Sequence, residues 1–429
     1  MKKTILSIVA AAAVSTTLFA DAELDALKQR IADLEANQST LIDETSDLKT
    51  GFAYTVLDTD FSHKGMGIAA SKVYNSKSPL SIGGYGEMYY ANKEDANNIA
   101  DVYRFVPYIG YKFTDNVILN TELEFEHGGA KDGDSEYGYA VIEFMYLDFL
   151  LTDSFNVQVG LVLTPMGLIN LRHEPTLFNT VQRPNTEKNL LPSTWNTNGV
   201  IAYGSIGESG FTYNAGIIQA LDFDNSNAGK TKQIRSARSG SGKSTYNNLA
   251  FVGRLDYTGT PGLLAGASLY HGTATQGEEV SGAAATMYDL HVTYENSGFK
   301  AKALYTATKI DDADKIAAST TAAGQSISDA NGYYVNLEYD VLSTVQSDYK
   351  LPVFVQYDYI NPTETVVDAN NNTISPVPDL KAESATTTVG LNFFPHEQVV
   401  LKMDYAMKDY KDAGVKDQDI LSLSLGFIF

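Results

Sequence analysis

The chain contains no cysteine, a single tryptophan and only six histidines among its 429 residues. The lack of cysteine excludes a disulfide scaffold, a thiolate metal site and a cysteine nucleophile. The histidines form no HExxH motif and no tight pair, so the sequence predicts neither a metal site nor a cofactor. Basic residues are also scarce, 31 against 52 acidic ones, and the net charge of −21 argues against nucleic acid as a partner.

Motifs of catalysis are missing as well. The chain has no Gly-x-Ser-x-Gly elbow, which would place a nucleophilic serine between a strand and a helix. Residues 237–244 (ARSGSGKS) loosely fit a phosphate-binding loop, but no buried strand precedes them and no helical pattern follows. The sequence therefore predicts a protein that is not an enzyme.

The amino terminus has the pattern of an export signal. Two lysines precede an apolar run from Ile5 to Val14, and a region of small residues ends at Ala20 or Ala22. The run is too short to span about 30 Å of hydrocarbon. Residues 1–20 are therefore predicted to be a secretory signal peptide that is removed after export.

A short coiled coil is predicted for residues 23–50, because apolar side chains recur there at spacings of three and four. The positions on this seam are Leu24, Leu27, Ile31, Leu34, Leu41 and Leu48. A single amphipathic helix of this length is marginal in water, so we expect a parallel homo-oligomer on the periplasmic side. The alternative is a helix that packs on its own domain. Residues 51–79 are interpreted as a linker.

From about residue 80 the apolar period changes to two. One run alternates apolar and charged side chains in the order Leu401, Lys402, Met403, Asp404 and Tyr405. Such a strand fits a soluble sandwich or a membrane barrel that encloses water. The runs are often ten or more residues long, and tyrosine and phenylalanine collect near their ends. Both features favour strands that cross a membrane.

Residues 80–429 are predicted to form an all-β, sixteen-stranded antiparallel transmembrane β-barrel. The predicted strands are 80–91, 101–113, 116–128, 138–150, 154–164, 197–206, 210–221, 247–258, 262–272, 286–296, 298–309, 331–343, 350–361, 384–394, 398–409 and 419–429. Connections after most even-numbered strands are short, and those after odd-numbered strands are long and polar, as at 222–246, 310–330 and 362–383. This alternation is typical of outer-membrane barrels.

The third long connection, residues 165–196, differs from the others because it contains four prolines, Trp195 and many apolar side chains. A loop surrounded by water gains nothing from this apolar surface, so we expect it to fold inward and narrow a pore. Its charged residues would then select solutes at the narrowing. These residues are Arg172, His173, Glu174, Arg183, Glu187 and Lys188. The alternative is a surface lid or a loop that contacts another subunit.

Three segments resemble a known family. They are the first strand SIGGYGEMYY (81–90), the stretch 160–200 with GLVLTPMGL and LLPSTWNTNGV, and the terminal Phe429. Together with the amino-terminal coiled coil, they are similar to trimeric porins grouped with the phosphate-selective porins O and P. The resemblance implies a sixteen-stranded barrel in the outer membrane of a Gram-negative bacterium. It also implies a homotrimer and a constriction built by the third loop.

The resulting hypothesis is a porin that admits small hydrophilic solutes and ions by passive diffusion through a water-filled channel. By strand parity, the basic lumen wall comprises Arg104, Lys112, Arg254, Lys300, Lys302 and Lys402. The acidic lumen wall comprises Glu122, Glu124, Glu126, Asp256, Asp289, Glu338, Asp340, Asp358 and Asp404. The turn at Asp115 should set Arg104 opposite Glu126. Most of these charges are expected to be ordinary solvated wall residues.

Ion preference stays open at this point, because the acidic wall favours cations and the basic loops favour anions. A basic segment near the external mouth could attract anions or be a flexible loop. It contains Lys230, Lys232, Arg235, Arg238 and Lys243. The alternative function is a structural protein or adhesin, in which the barrel is an anchor for surface-exposed loops.

Overall fold

The computed structural model describes residues 28–34, 36–38, 62–129, 138–224, 234–277, 280, 282–319, 324–375, 383–411 and 414–429. The predicted signal peptide lies outside these residues, as does most of the predicted coiled coil. Residues 28–34 and 36–38 are helical. Two seam residues in this helix are exposed, Ile31 by 48% and Leu34 by 62%. Residues 1–53 and 54–429 form two separate compact units.

Sixteen long strands make up the larger unit. They are β1 (Leu80–Lys93), β2 (Ile99–Thr114), β3 (Val117–Glu126), β4 (Ala140–Thr152), β5 (Phe155–Leu163), β6 (Asn196–Ser205), β7 (Phe211–Gln219), β8 (Leu249–Tyr257), β9 (Leu263–Thr273), β10 (Ala284–Asn296), β11 (Phe299–Asp311), β12 (Gln325–Asp340), β13 (Pro352–Asp368), β14 (Ser384–His396), β15 (Val399–Tyr410) and β16 (Gln418–Ile428). A two-residue strand, Thr373–Ile374, pairs with the far end of β13.

The sheet closes on itself. Each strand pairs antiparallel with its neighbours in sequence, and β1 pairs with both β2 and β16. Tyr85 lies opposite Ile428 at one end of the closing pair, and Lys93 lies opposite Ile420 at the other. The Phe429 amide continues this pairing and donates a hydrogen bond to the Gly84 carbonyl at 2.9 Å. Closure leaves no strand edge, as a barrel in lipid requires.

The predicted strand number and the alternation of connections are confirmed. Two strands extend well beyond their predicted bounds, because β12 begins at Gln325 and β13 continues to Asp368. The register of this pair shifts around Asp329, which interrupts the period-two pattern that identifies a strand in the sequence. The predicted pairing of Arg104 opposite Glu126 is also confirmed.

The barrel has its apolar side chains outside and its charged side chains inside. On β15, Leu401 and Met403 are 44% and 45% exposed, whereas Lys402 and Asp404 are 3% and 5% exposed. A soluble protein buries apolar side chains and exposes charged ones. The exposed apolar surface therefore faces lipid, and the charged surface faces the interior of the barrel.

Exposed aromatic side chains mark the end of the barrel at which the connections are short. They lie within four residues of these turns and form one of the two aromatic girdles that membrane barrels carry. They are Tyr111, Phe113, Phe155, Phe211, Tyr294, Phe299 and Tyr339. Among the described residues, no helix is long and apolar enough to cross a membrane.

Residues 62–79, interpreted from the sequence as part of a linker, contain the helix α1 (Ile68–Asn75). Ile68, Ala69 and Val73 are buried, and the helix packs against β1, β2 and β3. Asn120, which faces the interior from β3, donates a hydrogen bond to the Ala70 carbonyl at 2.9 Å. The helix therefore lies inside the barrel. A second short helix, α2 (Ala313–Ala317), lies in the connection between β11 and β12.

Candidate functional site: the inward-folded third loop

The connection between β5 and β6, residues 164–195, is hereafter called the third loop. The structure places it inside the barrel, where most of its residues are buried. The loop is closed at its base by Asn170, whose side-chain amide donates to the carbonyls of Thr164 at 2.6 Å and Trp195 at 3.0 Å. The Trp195 ring packs on Tyr270 of β9 with a centroid distance of 5.3 Å.

The first part of the loop is held by β8 and β10. The Gly167 amide donates a hydrogen bond to Asp289 Oδ2 at 3.1 Å. The Gly167 carbonyl accepts a hydrogen bond from Arg254, and Arg254 Nε also donates to Asp256 Oδ2 at 2.7 Å. The His291 ring lies between Asp289 and Asp256, at 2.6 and 2.8 Å. This network pairs the carboxylates with Arg254 and His291 while it positions one glycine of the loop.

The middle of the loop reaches β11 and β15. Lys302 Nζ donates to the Leu177 carbonyl at 2.9 Å. Lys402 Nζ donates to the carbonyls of Phe178 and Thr180 at 2.8 and 3.1 Å. The neighbouring lumenal residue of β15 completes this attachment, because Asp404 Oδ2 accepts a hydrogen bond from the Val181 amide at 2.6 Å.

The last part of the loop, a π-helical turn at Thr186–Leu190, is held by β12 and β13. Asp358 accepts hydrogen bonds from the amides of Asn185 and Thr186 and, at 2.6 Å, from the Thr186 hydroxyl. Glu187 accepts from the Ile169 amide at 2.6 Å and from the Tyr334 hydroxyl at 2.7 Å. Burial raises the pKa of Glu187 to about 7. The loop is thus attached to strands on several sides of the barrel.

Helix α1 supports the loop from the end of the barrel with short turns. The Gly67 amide donates to the Leu171 carbonyl at 3.0 Å, and the Ala70 amide donates to Glu174 Oε1 at 3.1 Å. A Cβ atom at residue 67 would lie 2.1 Å from Glu174 Oε1, so any other residue there would displace the Glu174 carboxylate. Lys112 Nζ fixes the carboxyl end of the helix by donating to the carbonyls of Tyr74 and Ser76 at 3.3 and 2.6 Å.

A buried pocket forms where the third loop meets β3 and β4. His173 Nε2 lies 3.1 Å from Glu122 Oε1 and 3.8 Å from Glu143 Oε2. The three residues are 2%, 0% and 2% exposed. The other ring nitrogen of His173, Nδ1, lies 2.9 Å from the Asn170 carbonyl oxygen, to which it donates a hydrogen bond. Burial lowers the pKa of His173, which favours the neutral imidazole.

Most basic residues predicted for the lumen wall bind protein groups rather than solvent. Lys112, Arg254, Lys302 and Lys402 hold helix α1 or the third loop, as described above. Arg104 Nε and Nη2 both donate to Glu87 Oε2, at 3.1 and 2.8 Å, although the Arg104 backbone lies opposite Glu126. Lys300 pairs with Glu295 at 2.6 Å. Of the acidic residues on β3, Glu122 and Glu124 are buried and Glu126 is partly exposed.

The predicted basic segment near the mouth divides into two parts. Arg235 donates to the carbonyls of Lys188 and Ser193, and Arg238 donates to those of Pro192 and Thr194. These two arginines therefore fold inward and hold the third loop. Lys243 is exposed. Lys230 and Lys232 lie outside the described residues.

The remaining charges of the third loop are those of Arg172, Arg183 and Lys188. Arg172 Nε and Arg183 Nε and Nη2 have no hydrogen-bond partner within the described part of the chain. Lys188 Nζ lies 3.5 Å from Gln182 Oε1. The sequence identifies the charged residues of this loop, but it does not show which of them bind the rest of the protein.

A closed sixteen-stranded barrel with an apolar exterior, a charged interior and an inward-folded third loop defines an outer-membrane channel of the porin class. The sequence of the chain matches the family described as phosphate-selective porin O and P over residues 84–429. The chain belongs to this family.

One related sequence and two solved structures are similar to this chain. An uncharacterized protein of Aquifex aeolicus (strain VF5) is 31% identical over 381 residues, covering 86% of this chain and 84% of that protein. Salmonella typhi OmpF, solved in complex with daunomycin, has a TM-score of 0.53 at 11% identity, with 82% of this chain and 97% of the other covered. The DcaP channel of Acinetobacter baumannii gives 0.51 at 11% identity, with the same coverage. These two structures share the fold.

Proposed function

We propose that this outer-membrane channel conducts small hydrophilic solutes passively and favours anions at the third loop. Permeation of this kind involves no covalent step. The proposal is supported by a difference in hydrogen bonding between the basic and the acidic residues of the loop. Arg172 Nε and Arg183 Nε and Nη2 are buried without a hydrogen-bond partner among the described residues, whereas Glu187 accepts two hydrogen bonds from the protein.

The protonation of the loop's acids supports the same bias. Burial raises the pKa of Glu174 and, to about 7, that of Glu187, so Glu187 carries less negative charge near neutral pH than an exposed carboxylate does. Arginine keeps its charge in proteins. The third loop therefore carries a surplus of positive charge, and fixed charge at a constriction determines which ions enter.

The test of anion preference is the reversal potential of single channels in a planar bilayer under a salt gradient. We expect anion selectivity for the wild type and a shift toward cations for Arg172→Gln and Arg183→Gln. Lys243→Gln, at an exposed position outside the third loop, is the matched control and should leave the reversal potential unchanged. A cation-selective wild type, or no shift in either arginine variant, would contradict the proposal.

We also propose a homotrimer, held by the barrel walls and by a periplasmic coiled coil over residues 23–50. The exposure of Ile31 and Leu34 in the described helix supports it, because these seam residues have apolar surface to bury against another copy. Removal of residues 23–50 behind an intact signal peptide should convert detergent-extracted trimers into weaker oligomers or monomers, as measured by chemical crosslinking. Trimers of unchanged stability would contradict a role for the coiled coil.

A further inference from the structure

The buried pocket between the third loop and the barrel wall brings together three side chains that can bind a metal ion. It contains the imidazole of His173 and the carboxylates of Glu122 and Glu143, and one donor atom from each lies within 4.8 Å of those from the other two. The residues come from three separate elements, the third loop, β3 and β4. They are at least 98% buried, because none is more than 2% exposed.

The two carboxyl groups of this pocket contact each other, and neither Glu122 Oε2 nor Glu143 Oε2 meets a hydrogen-bond donor among the described residues. Glu143 Oε2 points toward His173 Nε2, 3.8 Å away. Two buried carboxyl groups in contact cannot both be ionised without a compensating cation, so this pocket needs either a shared proton or a bound positive ion.

The charge of Arg104 acts on both carboxylates from a distance, but its Nε and Nη2 donate to Glu87, which lies on the other side of β2 from β3. Contacts of the pocket with neutral groups are weak, because the Tyr85 hydroxyl is 3.5 Å from Glu122 Oε1. The second buried histidine cluster is different. Both nitrogens of His291 face carboxylates, and Arg254 supplies a further charge there.

The orientation of His173 suits a metal ligand. Its Nδ1–H donates to the Asn170 carbonyl, which leaves the lone pair of Nε2 directed into the pocket. Histidines that bind metals are oriented in this way by a hydrogen bond from their other nitrogen. Donor atoms around tetrahedral zinc are about 3.3 Å apart, since the bonds are about 2.0 to 2.1 Å long. The distances from Nε2 to the two carboxylates, 3.1 and 3.8 Å, lie on either side of this value.

We propose that Glu122, Glu143 and His173 bind a divalent transition-metal ion, with Zn²⁺ as the representative probe, which joins the third loop to the barrel wall. One imidazole and two carboxylates suit zinc and similar first-row ions better than calcium or magnesium, which prefer ligands made of oxygen alone. The bound ion neutralises both carboxylates and replaces the proton that His173 and Glu122 would otherwise share. It also links a loop to strands far from it in sequence.

The experiment uses full-length protein without a polyhistidine tag, folded in detergent, stripped with a chelator and then titrated with Zn²⁺ by calorimetry. We expect one zinc ion per chain and at least tenfold weaker binding for His173→Gln and for Glu143→Gln. His127→Gln is the matched control, because His127 pairs with a single carboxylate, that of Asp101 at 2.7 Å, and is exposed. This variant should bind zinc as the wild type does.

Substitution with Co²⁺ gives a second readout that does not depend on affinity. We expect visible absorption bands of a cobalt ion with nitrogen and oxygen ligands in the wild type and in His127→Gln, and their loss in His173→Gln. Retained barrel folding, verified by the heat-dependent shift in electrophoretic mobility, ensures that a loss of binding reflects the ligands. The proposal is overturned if the wild type binds no zinc, or if folded His173→Gln binds it as tightly.

Discussion

The carboxylate of Asp358 provides a sharp test of how the third loop is held. It accepts three hydrogen bonds, from the amides of Asn185 and Thr186 and from the Thr186 hydroxyl. A hydrogen bond to a charged group contributes about 1.5 to 3 kcal/mol, and bonds that share one acceptor are not additive, so Asp358→Ala should weaken this attachment by about 3 to 6 kcal/mol. The population of the detached loop should rise about a hundred-fold to ten-thousand-fold.

The absence of native cysteine makes this population measurable with one introduced thiol. Leu190 is 1% exposed and lies so close to β12 that a Cβ at Gly332 would be 2.6 Å from its Cδ1. The Leu190→Cys variant should react slowly with a water-soluble maleimide, because only the detached loop exposes the thiol. Adding Asp358→Ala should accelerate labelling by at least a hundred-fold.

Asp340→Ala is the matched control for this labelling experiment. Asp340 Oδ1 accepts hydrogen bonds from the amides of Leu342 and Leu351, at 3.0 and 2.8 Å, in the turn after β12. Its loss should leave labelling of the Leu190→Cys variant unchanged. Equal labelling rates with and without Asp358→Ala would refute the conclusion that Asp358 holds the loop.

Three further substitutions test other parts of the structure. Met403→Arg places a charge on the lipid-facing side of β15. Near the bilayer midplane, this charge should lower the free energy of unfolding by about 2 to 4 kcal/mol, as measured by urea unfolding in vesicles. A negligible change would contradict this orientation of Met403. Burial raises the pKa of Glu187 from 4.5 to about 7. Between these two pH values, the native state therefore holds a proton that the unfolded state has lost. The free energy of unfolding should therefore fall as pH rises from 4.5 to 7, and Glu187→Gln should flatten this part of the profile, whereas an unaltered slope would exclude Glu187 as its source. Gly67→Ala should displace Glu174 and expose helix α1 to protease. Gly242→Ala is the control, because the space around its Cβ position is open, and it should leave the helix protected. Equal protection of helix α1 in both variants would show that the close contact at Gly67 is unimportant.

The strands could be predicted because their signal is local. Alternation with period two and the spacing of turns depend on neighbouring residues alone, so most of the barrel strands are bounded to within about three residues. The extensions of β12 and β13 were not predicted, because the register shift around Asp329 interrupts the alternation of apolar and polar residues. Parity also placed Lys402 and Asp404 on the lumenal face, where the structure has them.

The roles of the lumenal charges could not be predicted in the same way. Parity shows which side of a strand a residue occupies, but Lys402 and Asp404 bind backbone groups of a loop more than 200 residues away in sequence. Likewise, the contact of His173 with Glu122 joins residues 51 positions apart, with no motif spacing to reveal it. Helix α1 was not predicted, because a helix of eight residues is too short to give a clear helical period in the sequence.

The central claim is that the third loop crosses the lumen and limits the passage of solutes. Barrels of sixteen strands leave an aqueous channel when nothing fills them. The most direct test is the single-channel conductance of a variant in which residues 172–190 are replaced by a short glycine-serine segment. We expect conductance several-fold above that of the wild type, whereas an unchanged conductance would contradict the claim.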